Sequence, residues 1–241
     1  MTIKEDKWNW YLKDNEFKVY NSGGKDSDAY GMLQQKGFLK DICLKFVPTL
    51  KNKNIKILEI GCGDGSFLEY LKSIGYTDLC GVTLNQENVR RCKKRGIDCI
   101  YADMHELDIK SKSYDLIWCS ETFEHSIAPF AVICEMNRIL KSNGYAIILM
   151  PNPETWVSWT AHYSALYPEQ MHNLFLKSGF KQVHYSIDIE KDFYKCNKKN
   201  NGMLRSKMVL TFIVQKEKEY TNVNRSENDP DAYLSMKYLK K

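Results

Sequence analysis

The chain has 241 residues, a net charge of +5 and 43% hydrophobic residues, which suits one α/β domain with a cap or a tail and leaves little room for a second catalytic domain. No apolar run approaches the roughly 20 residues that span a bilayer, and no apolar segment follows the charges at the N-terminus, so we expect a cytoplasmic protein with no membrane partner. The positive excess is concentrated in residues 198–207 and in the last few residues, which is typical of a solvated tail and only a weak indication of an anionic partner.

Residues 1–50 are predicted to form an N-terminal helical cap over the edge of a sheet. They carry three early aromatic residues and then the helical pattern AYGMLQQKGFLKDICLKFV. Within them, SGGKDS (residues 22–27) matches the phosphate-binding loop of ATP pyrophosphatases, but the preceding NEFKVYN is too short and polar for the buried strand that such a loop needs. We therefore favour a turn in the cap, with Lys25 available to an anionic substrate.

From residue 53 onward, apolar strand-like runs alternate with helix-like segments. The predicted strands are, in chain order, IKILEIG, DLCGVTL, DCIYAD, YDLIWCSET, YAIILMPNP, FKQVHYSIDI and SKMVLTFIVQ. The predicted helices span residues 66–74, 86–96, 129–144 and 168–178. This alternation indicates a doubly wound α/β fold with right-handed crossovers, in which ligands bind beyond the carboxyl ends of the strands. The domain is predicted to cover residues 51–217, followed by a polar tail at 218–241.

A glycine-rich loop, Gly61-x-Gly63-x-Gly65, follows the first predicted strand and precedes the first helix. Glycines let the backbone turn sharply and approach a ligand without a Cβ clash. The dinucleotide-binding fingerprint would place a further glycine where this chain has Ser66, which weakens a nicotinamide or flavin interpretation. The loop therefore indicates a cofactor site of another kind.

Over roughly residues 50 to 215 the sequence resembles the class I S-adenosylmethionine-dependent methyltransferases. The resemblance implies a Rossmann-like, mostly parallel seven-stranded sheet and S-adenosylmethionine as cofactor. In that family the acidic residue before the first glycine, here Glu59, holds the amino-acid end of the cofactor together with the loop. The cofactor-binding residues that the resemblance implies are Glu59, Gly61, Cys62, Gly63, Gly65, Thr83, Leu84, Asp103, Met104 and Ser120.

Two of these positions leave alternatives open. The family's ribose-binding acid at the end of the second strand is replaced by Thr83, and Asn85 or Glu87 are alternative substitutes. Asp103 ends the third strand where the family binds the adenine amino group, with the Met104 amide nearby, and its other interpretation is a helix cap.

A cluster of acidic and imidazole side chains, Glu121-x-x-Glu124-His125, follows the fourth predicted strand. Gathering two carboxylates and a histidine within five residues is costly unless a cation offsets the charge, and such donors suit magnesium, manganese or iron better than a structural zinc. His162 follows the fifth strand, at the border of the same crevice.

This set resembles the Glu-x-x-Glu-His plus distal histidine pattern of two groups of metal-dependent methyltransferases, the small-RNA 2′-O-methyltransferases and the ubiquinone-pathway O-methyltransferases. The resemblance implies Mg²⁺ or another divalent metal held by Glu121, Glu124, His125 and His162. It also implies catalytic roles for Glu121, His125 and His162. The alternative is a metal-free site in which His125 or His162 acts as a base.

The function that we predict is O-methylation of a hydroxyl on a small-molecule acceptor such as a sugar, a phenol or a vicinal diol. A tryptophan set in the cap and in the loop after the fifth strand is a candidate lining for the acceptor pocket: Trp8, Trp10, Trp156 and Trp159. The alternatives are ribose 2′-O-methylation of RNA or a nucleotide, metal-free N-methylation, and a non-catalytic cofactor-binding partner of another methyltransferase.

The eight cysteines are scattered along the chain without a Cys-x-x-Cys pair, and several lie inside apolar, strand-like runs. We interpret them as small buried apolar side chains in a reducing compartment.

Overall fold

A computed structural model describes residues 35–153, 161–189 and 208–220. The strands are β1 (Lys56–Ile60), β2 (Asp78–Thr83), β3 (Asp98–Tyr101), β4 (Tyr114–Ser120), β5 (Leu140–Pro151), β6 (Phe180–Ile189) and β7 (Met208–Lys216). The helices are α1 (Ser66–Ser73), α2 (Gln86–Lys94), α3 (Pro129–Ile139) and α4 (Pro168–Lys177). The interpretations given above for SGGKDS, Lys25, Trp8, Trp10, Trp156 and Trp159 lie outside the described residues.

All seven strands form one sheet in the order β3-β2-β1-β4-β5-β7-β6. The pairs from β3 to β5 are parallel, whereas β7 is antiparallel to both of its neighbours. β7 follows β6, runs back beside it and lies between β5 and β6, which accounts for the antiparallel pairs. Helices connect β1 to β2, β2 to β3 and β4 to β5. The predicted doubly wound, mostly parallel seven-stranded sheet is therefore confirmed.

The third helix is shorter than the sequence pattern predicted. It ends at Ile139 instead of continuing to Gly144, and β5 begins at once with Leu140, which pairs with Tyr114 of β4. The buried Lys216 ammonium donates a 2.8 Å hydrogen bond to the Leu140 carbonyl. The carbonyl at this end of the helix is thus hydrogen-bonded by a residue 76 positions away, so local periodicity could not reveal the boundary.

The core lies on the two faces of the sheet, because successive strand residues point in opposite directions. On β4, Leu116 and Trp118 pack toward α1 and the chain before β1, whereas Ile117 and Cys119 pack toward α3 and α4. Both sets are almost fully buried. The central strands are thus covered on both faces, as a parallel sheet requires.

The chain before β1 is helical, and we call residues 35–51 the N-terminal helical segment. It includes a π-helical turn at Leu39–Cys43 and a 3₁₀ turn at Pro48–Lys51. Its apolar side chains pack into the same core as Trp118, and Phe46 stacks on His184 of β6 at 4.1 Å. In the part of the chain that the structure describes, no helix has the length and apolar character needed to cross a membrane.

Candidate functional site

The strand order reverses between β1 and β4, which pair side by side in the middle of the sheet. Ligands of open α/β sheets bind at such a switch point, beyond the carboxyl ends of the strands. Ile60, at the end of β1, pairs with Cys119, one residue before the end of β4. The glycine loop and the acidic-histidine cluster follow these two strands, so the topology brings them to the same edge of the sheet.

The glycine loop is held in a conformation that other residues rarely adopt. Gly61, Gly63 and Gly65 have φ values of 77°, 53° and 81°, which lie in the region that glycine tolerates without a Cβ penalty. The Gly61 amide donates to the Val82 carbonyl of β2 at 2.8 Å. A Cβ at Gly61 would overlap the side chain of Thr122, which sits directly over the loop. The residues after β4 therefore touch the loop after β1.

Glu59, the predicted partner of the cofactor's amino group, is 2% exposed in β1. Its Oε2 atom has no hydrogen-bond partner among the described residues. Burial, with further contributions from Cys92 and Asp64, raises the pKa of this carboxyl well above its usual range. A buried acceptor without a partner is costly, and an ammonium group would offset that cost, so Glu59 fits the role implied by the resemblance.

Asp64 connects the loop to two helices, a role that the sequence did not suggest. Its Oδ1 accepts the amide of Ser66 at 3.1 Å, and its Oδ2 accepts Arg95 at 2.7 Å. Although burial raises the pKa of Asp64, hydrogen bonds from Ser66 and Arg95 outweigh that effect and lower it. Arg95 also pairs with Glu69 of α1 at 2.6 Å. These contacts fix the loop between α1 and the end of α2.

The position predicted to bind the ribose is occupied by a turn that caps α2. Thr83 is 7% exposed, and its Oγ1 accepts the amide of Asn85 at 3.3 Å. Asn85 is the helix cap and accepts the Glu87 and Asn88 amides at 2.7 and 3.1 Å. The Glu87 carboxylate pairs with Arg90 at 2.6 Å on the surface. Each of the three predicted substitutes thus has a local structural partner.

Asp103 belongs to a chain of hydrogen bonds that leads to the residues after β4. Its Oδ1 lies 2.5 Å from Nδ1 of His105, and Nε2 of His105 lies 2.8 Å from Oγ of Ser126. No motif in the sequence marks His105 or Ser126. The network joins the predicted adenine-binding position to the turn that carries Glu124 and His125.

The remaining predicted cofactor residues are buried to different extents. Cys62 and Met104 are 6% and 5% exposed, with side chains in the core. The Cys62 amide donates to Val82 at 3.0 Å. Leu84 is half-buried and Ser120 is 8% exposed.

Three of the four predicted metal ligands converge. Candidate donor atoms of Glu124, His125 and His162 all lie within 4.8 Å of one another. Oε1 of the fully buried Glu124 is 3.8 Å from Nε2 of His125 and 4.0 Å from Nε2 of His162. Glu121 is not part of this group. Burial lowers the pKa of His125, and the hydrogen bond to Ala161 and the charge of Glu121 oppose this shift only in part. We call Glu124, His125 and His162 the Glu-His-His cluster.

The loop after β5 is attached to the cluster by three hydrogen bonds. Nδ1 of His125 lies 2.9 Å from the Ala161 carbonyl, which can only accept, so Nδ1 carries a proton. Burial lowers the pKa of His125 and so favours the neutral ring, in which Nε2 has a lone pair and faces Glu124. The Ser164 amide donates to the Glu124 carbonyl at 2.9 Å, and its hydroxyl donates to the Ser126 carbonyl at 2.6 Å. His162 is placed by this attachment, and neither serine was marked by a motif.

Comparisons with known proteins find similarity to methyltransferases. Residues 58–148 match a family model described as a methyltransferase domain. The phthiotriol/phenolphthiotriol dimycocerosates methyltransferase of Mycobacterium tuberculosis is 30% identical over 118 residues, which cover 46% of this chain and 43% of that protein. The ubiquinone biosynthesis O-methyltransferase of Bartonella quintana is 30% identical over 128 residues, covering 49% and 51% respectively. The chain thus spans about half the length of these curated relatives.

A solved structure shows a similar fold. The SAM-dependent methyltransferase of Archaeoglobus fulgidus superimposes with a TM-score of 0.57 at 19% identity, covering 86% of this chain and 99% of that one.

Proposed function

We propose that this chain, which carries a class I S-adenosylmethionine-dependent methyltransferase domain, methylates a hydroxyl oxygen of a small-molecule acceptor with the help of a divalent metal ion. The observation that carries the proposal is the Glu-His-His cluster beside the glycine loop, where Thr122 lies over Gly61. A methyl donor bound at the loop would present its reactive group near these donors. The acceptor classes that we favour are sugars, phenols and other vicinal diols.

The cluster has a donor set suited to a divalent ion. A carboxylate with two imidazoles and open positions is a known arrangement for Fe²⁺, and Mn²⁺ or Mg²⁺ also accept carboxylate oxygen. An octahedral ion with bonds of about 2.1 Å keeps neighbouring donors about 3.0 Å apart. The observed separations of 3.8 and 4.0 Å would need to contract by about 1 Å or less. Such an ion would supply a Lewis acid that lowers the pKa of an acceptor hydroxyl.

The proposed roles of the chain's own residues follow from their positions. S-adenosylmethionine, when bound, supplies a methyl group on a sulfonium, and the acceptor oxygen must attack it in line while losing a proton. Glu59 and the glycine loop hold the donor, while the Ala161 carbonyl keeps Nε2 of His125 facing the cluster. Glu121 stands within electrostatic reach of His125 but outside the cluster, so we assign it the role of proton acceptor. The remaining rate enhancement comes from alignment of the methyl donor with the acceptor hydroxyl in a water-poor crevice.

The names of the relatives support oxygen as the acceptor atom. One of them is a ubiquinone biosynthesis O-methyltransferase, and a malonyl-[acyl-carrier protein] O-methyltransferase of Priestia megaterium is 27% identical over 176 residues, covering 71% of this chain and 63% of that protein. Both names describe transfer to oxygen, whereas the acceptors differ widely, so the acceptor class rests on the site alone.

The test measures cofactor binding by calorimetry and then turnover on panels of sugars, phenols, diols and short RNAs. The assays run with EDTA and after addition of Mg²⁺, Mn²⁺ or Fe²⁺. We expect micromolar binding of S-adenosylmethionine and metal-dependent transfer to a diol or phenol. His162→Ala should abolish metal-dependent turnover, whereas His172→Ala, on the exposed face of α4, should not.

Three results would overturn the proposal or one of its parts. Absence of cofactor binding would remove the methyltransferase assignment. Full activity in EDTA would remove the metal and leave a histidine base, and transfer confined to RNA would replace the small-molecule acceptor.

A further inference from the structure

Three cysteine thiols from separate elements meet behind the glycine loop. Cys62 belongs to the loop, Cys92 to α2 and Cys99 to β3. The sulfur of Cys62 lies 4.0 Å from that of Cys92 and 3.7 Å from that of Cys99, and all three sulfurs lie within 4.8 Å of one another. We call Cys62, Cys92 and Cys99 the three-thiol cluster. It shares no residue with the Glu-His-His cluster.

A backbone oxygen adds a fourth donor to the three-thiol cluster. The Gly63 carbonyl oxygen is 3.6 Å from the sulfur of Cys62 and 3.7 Å from the sulfur of Cys92. In a tetrahedral site with metal–sulfur bonds of about 2.3 Å and a metal–oxygen bond of about 2.1 Å, two sulfurs lie about 3.8 Å apart and a sulfur and an oxygen about 3.6 Å apart. These four separations are close to four of the six edges of such a tetrahedron.

Glycines on neighbouring elements make room for two of the sulfurs. A Cβ at Gly81 of β2 would overlap the sulfur of Cys62, and a Cβ at Gly65 would approach the sulfur of Cys92 to 2.9 Å. Cys62 and Cys92 are almost fully buried. Cys99 is only half-buried and lies on β3, the edge strand of the sheet, which offers an ion a way in.

We propose that the three-thiol cluster binds one thiophilic divalent ion of the zinc and cadmium class, through three thiolates and the Gly63 carbonyl. Three thiolates select a soft ion, whereas the carboxylate and imidazoles of the other cluster suit a harder one. Each thiol releases its proton to solvent as its bond to the ion forms. The ion joins the glycine loop to α2 and β3, so it stabilises the loop. This inference does not depend on methyl transfer.

The test titrates the full chain, reduced and freed of metal, with Cd²⁺. We expect one equivalent to produce the ultraviolet charge-transfer band of a cadmium thiolate, which carboxylate and imidazole ligands do not give. Zn²⁺ should compete for the same equivalent, with the release of protons. Because binding favours the folded state, Cd²⁺ should also raise the midpoint of thermal unfolding.

Matched variants separate the cluster from the other thiols. Cys99→Ala removes a half-buried ligand and should lose both the band and the thermal shift while its circular dichroism stays that of the parent. Cys134→Ala removes a half-buried thiol on α3, outside the cluster, and should keep both. Van der Waals packing of three apolar thiols would also bring the sulfurs together, but packing alone binds no ion. Absence of the band in the parent, or its survival in Cys99→Ala, would overturn the proposal.

Discussion

Nδ1 of His125 lies 2.9 Å from the carbonyl oxygen of Ala161, so the loop after β5 determines which nitrogen of a histidine after β4 carries a proton. Two bonds from Ser164 reinforce the same junction, one to the Glu124 carbonyl and one to the Ser126 carbonyl. The Glu-His-His cluster is thus assembled by hydrogen bonds to backbone carbonyls between two loops that are distant in sequence. Its geometry should respond to changes in residues that touch neither metal nor substrate.

The first prediction concerns the buried hydroxyl of Ser164. Ser164→Ala removes its 2.6 Å bond to the Ser126 carbonyl and should lower the free energy of unfolding by about 1 to 2 kcal/mol. It should also weaken divalent-metal affinity at the Glu-His-His cluster by about tenfold, since outer residues orient metal ligands. Denaturant unfolding and metal titration measure the two effects.

A matched control exists for this change. Ser113→Ala removes a hydroxyl bond of the same length, 2.6 Å, to the Lys110 carbonyl at the surface, and should leave metal affinity unchanged. Equal metal affinities for the parent and Ser164→Ala would contradict the role of this junction.

The second prediction concerns Gly61. Gly61→Ala places a Cβ at a φ of 77° and against the side chain of Thr122. The chain must then shift the loop or the residues after β4, and we expect the affinity for S-adenosylmethionine to fall at least about tenfold, equivalent to about 1.4 kcal/mol. Calorimetry of the cofactor measures the loss.

A double-mutant cycle separates the two causes. Thr122→Gly removes the overlapping atoms, so the double variant should regain part of the affinity, while the strain of a positive φ remains. Gly37→Ala, which meets nothing within 4 Å, should bind the cofactor as the parent does. A double variant no better than Gly61→Ala would assign the whole effect to backbone conformation.

Much of this fold could be predicted from the sequence because its signals are local. Most of the strands stand out as runs rich in apolar residues, and the glycine loop lies between the first strand and the first helix. The end of α3 could not be predicted, because Lys216 satisfies its carbonyls from β7. The three-thiol cluster was equally hidden, since Cys62, Cys92 and Cys99 follow no motif and meet only through the sheet.

The position of Glu121 in the acidic-histidine motif could not be predicted either. Glu124 and His125 lie on a 3₁₀ turn, whereas Glu121 has a φ of 49°, in the left-handed region. A local reversal of the backbone changes the direction of a side chain, and sequence spacing does not encode it. The pattern therefore predicts four ligands, whereas the structure brings three of them together.

The third prediction concerns the buried Lys216. Its ammonium donates to the carbonyls of Asn137 and Leu140 at 2.7 and 2.8 Å and pairs with Glu219 at 3.0 Å. Lys216→Met keeps the length of the side chain but leaves these carbonyls without their donor, which should cost about 3 kcal/mol of unfolding free energy. Lys112→Met, at an exposed lysine that also pairs with Glu219, should cost less than about 1 kcal/mol. Similar losses for the two variants would show that the ion pair, and not the helix end, matters.

The fourth prediction concerns Glu59 and the pH dependence of stability. Burial, with Cys92 and Asp64, raises its pKa in the folded state, whereas an unfolded glutamate titrates near about 4.3. The folded state therefore holds this proton more tightly, and the stability of the cofactor-free protein should fall as pH rises from about 4.3 toward the folded pKa. Glu59→Gln should remove this contribution and be more stable than the parent near neutral pH, when both are measured in EDTA.

The same variant should lose function while it gains stability. A glutamine cannot offer a negative charge to the cofactor's ammonium, so we expect S-adenosylmethionine affinity to fall about tenfold or more, since a charged hydrogen bond contributes about 1.5 to 3 kcal/mol. Thermal unfolding from about pH 4 to about pH 7.5, a range that extends below the unfolded pKa of about 4.3 and past neutrality, measures the first effect. Calorimetry measures the second. Glu217→Gln, at an exposed acid remote from the loop, should change neither. If the Glu59→Gln protein were less stable than the parent at neutral pH, the carboxylate would be stabilised by contacts within the folded chain. It would then not need a ligand's ammonium group as its partner.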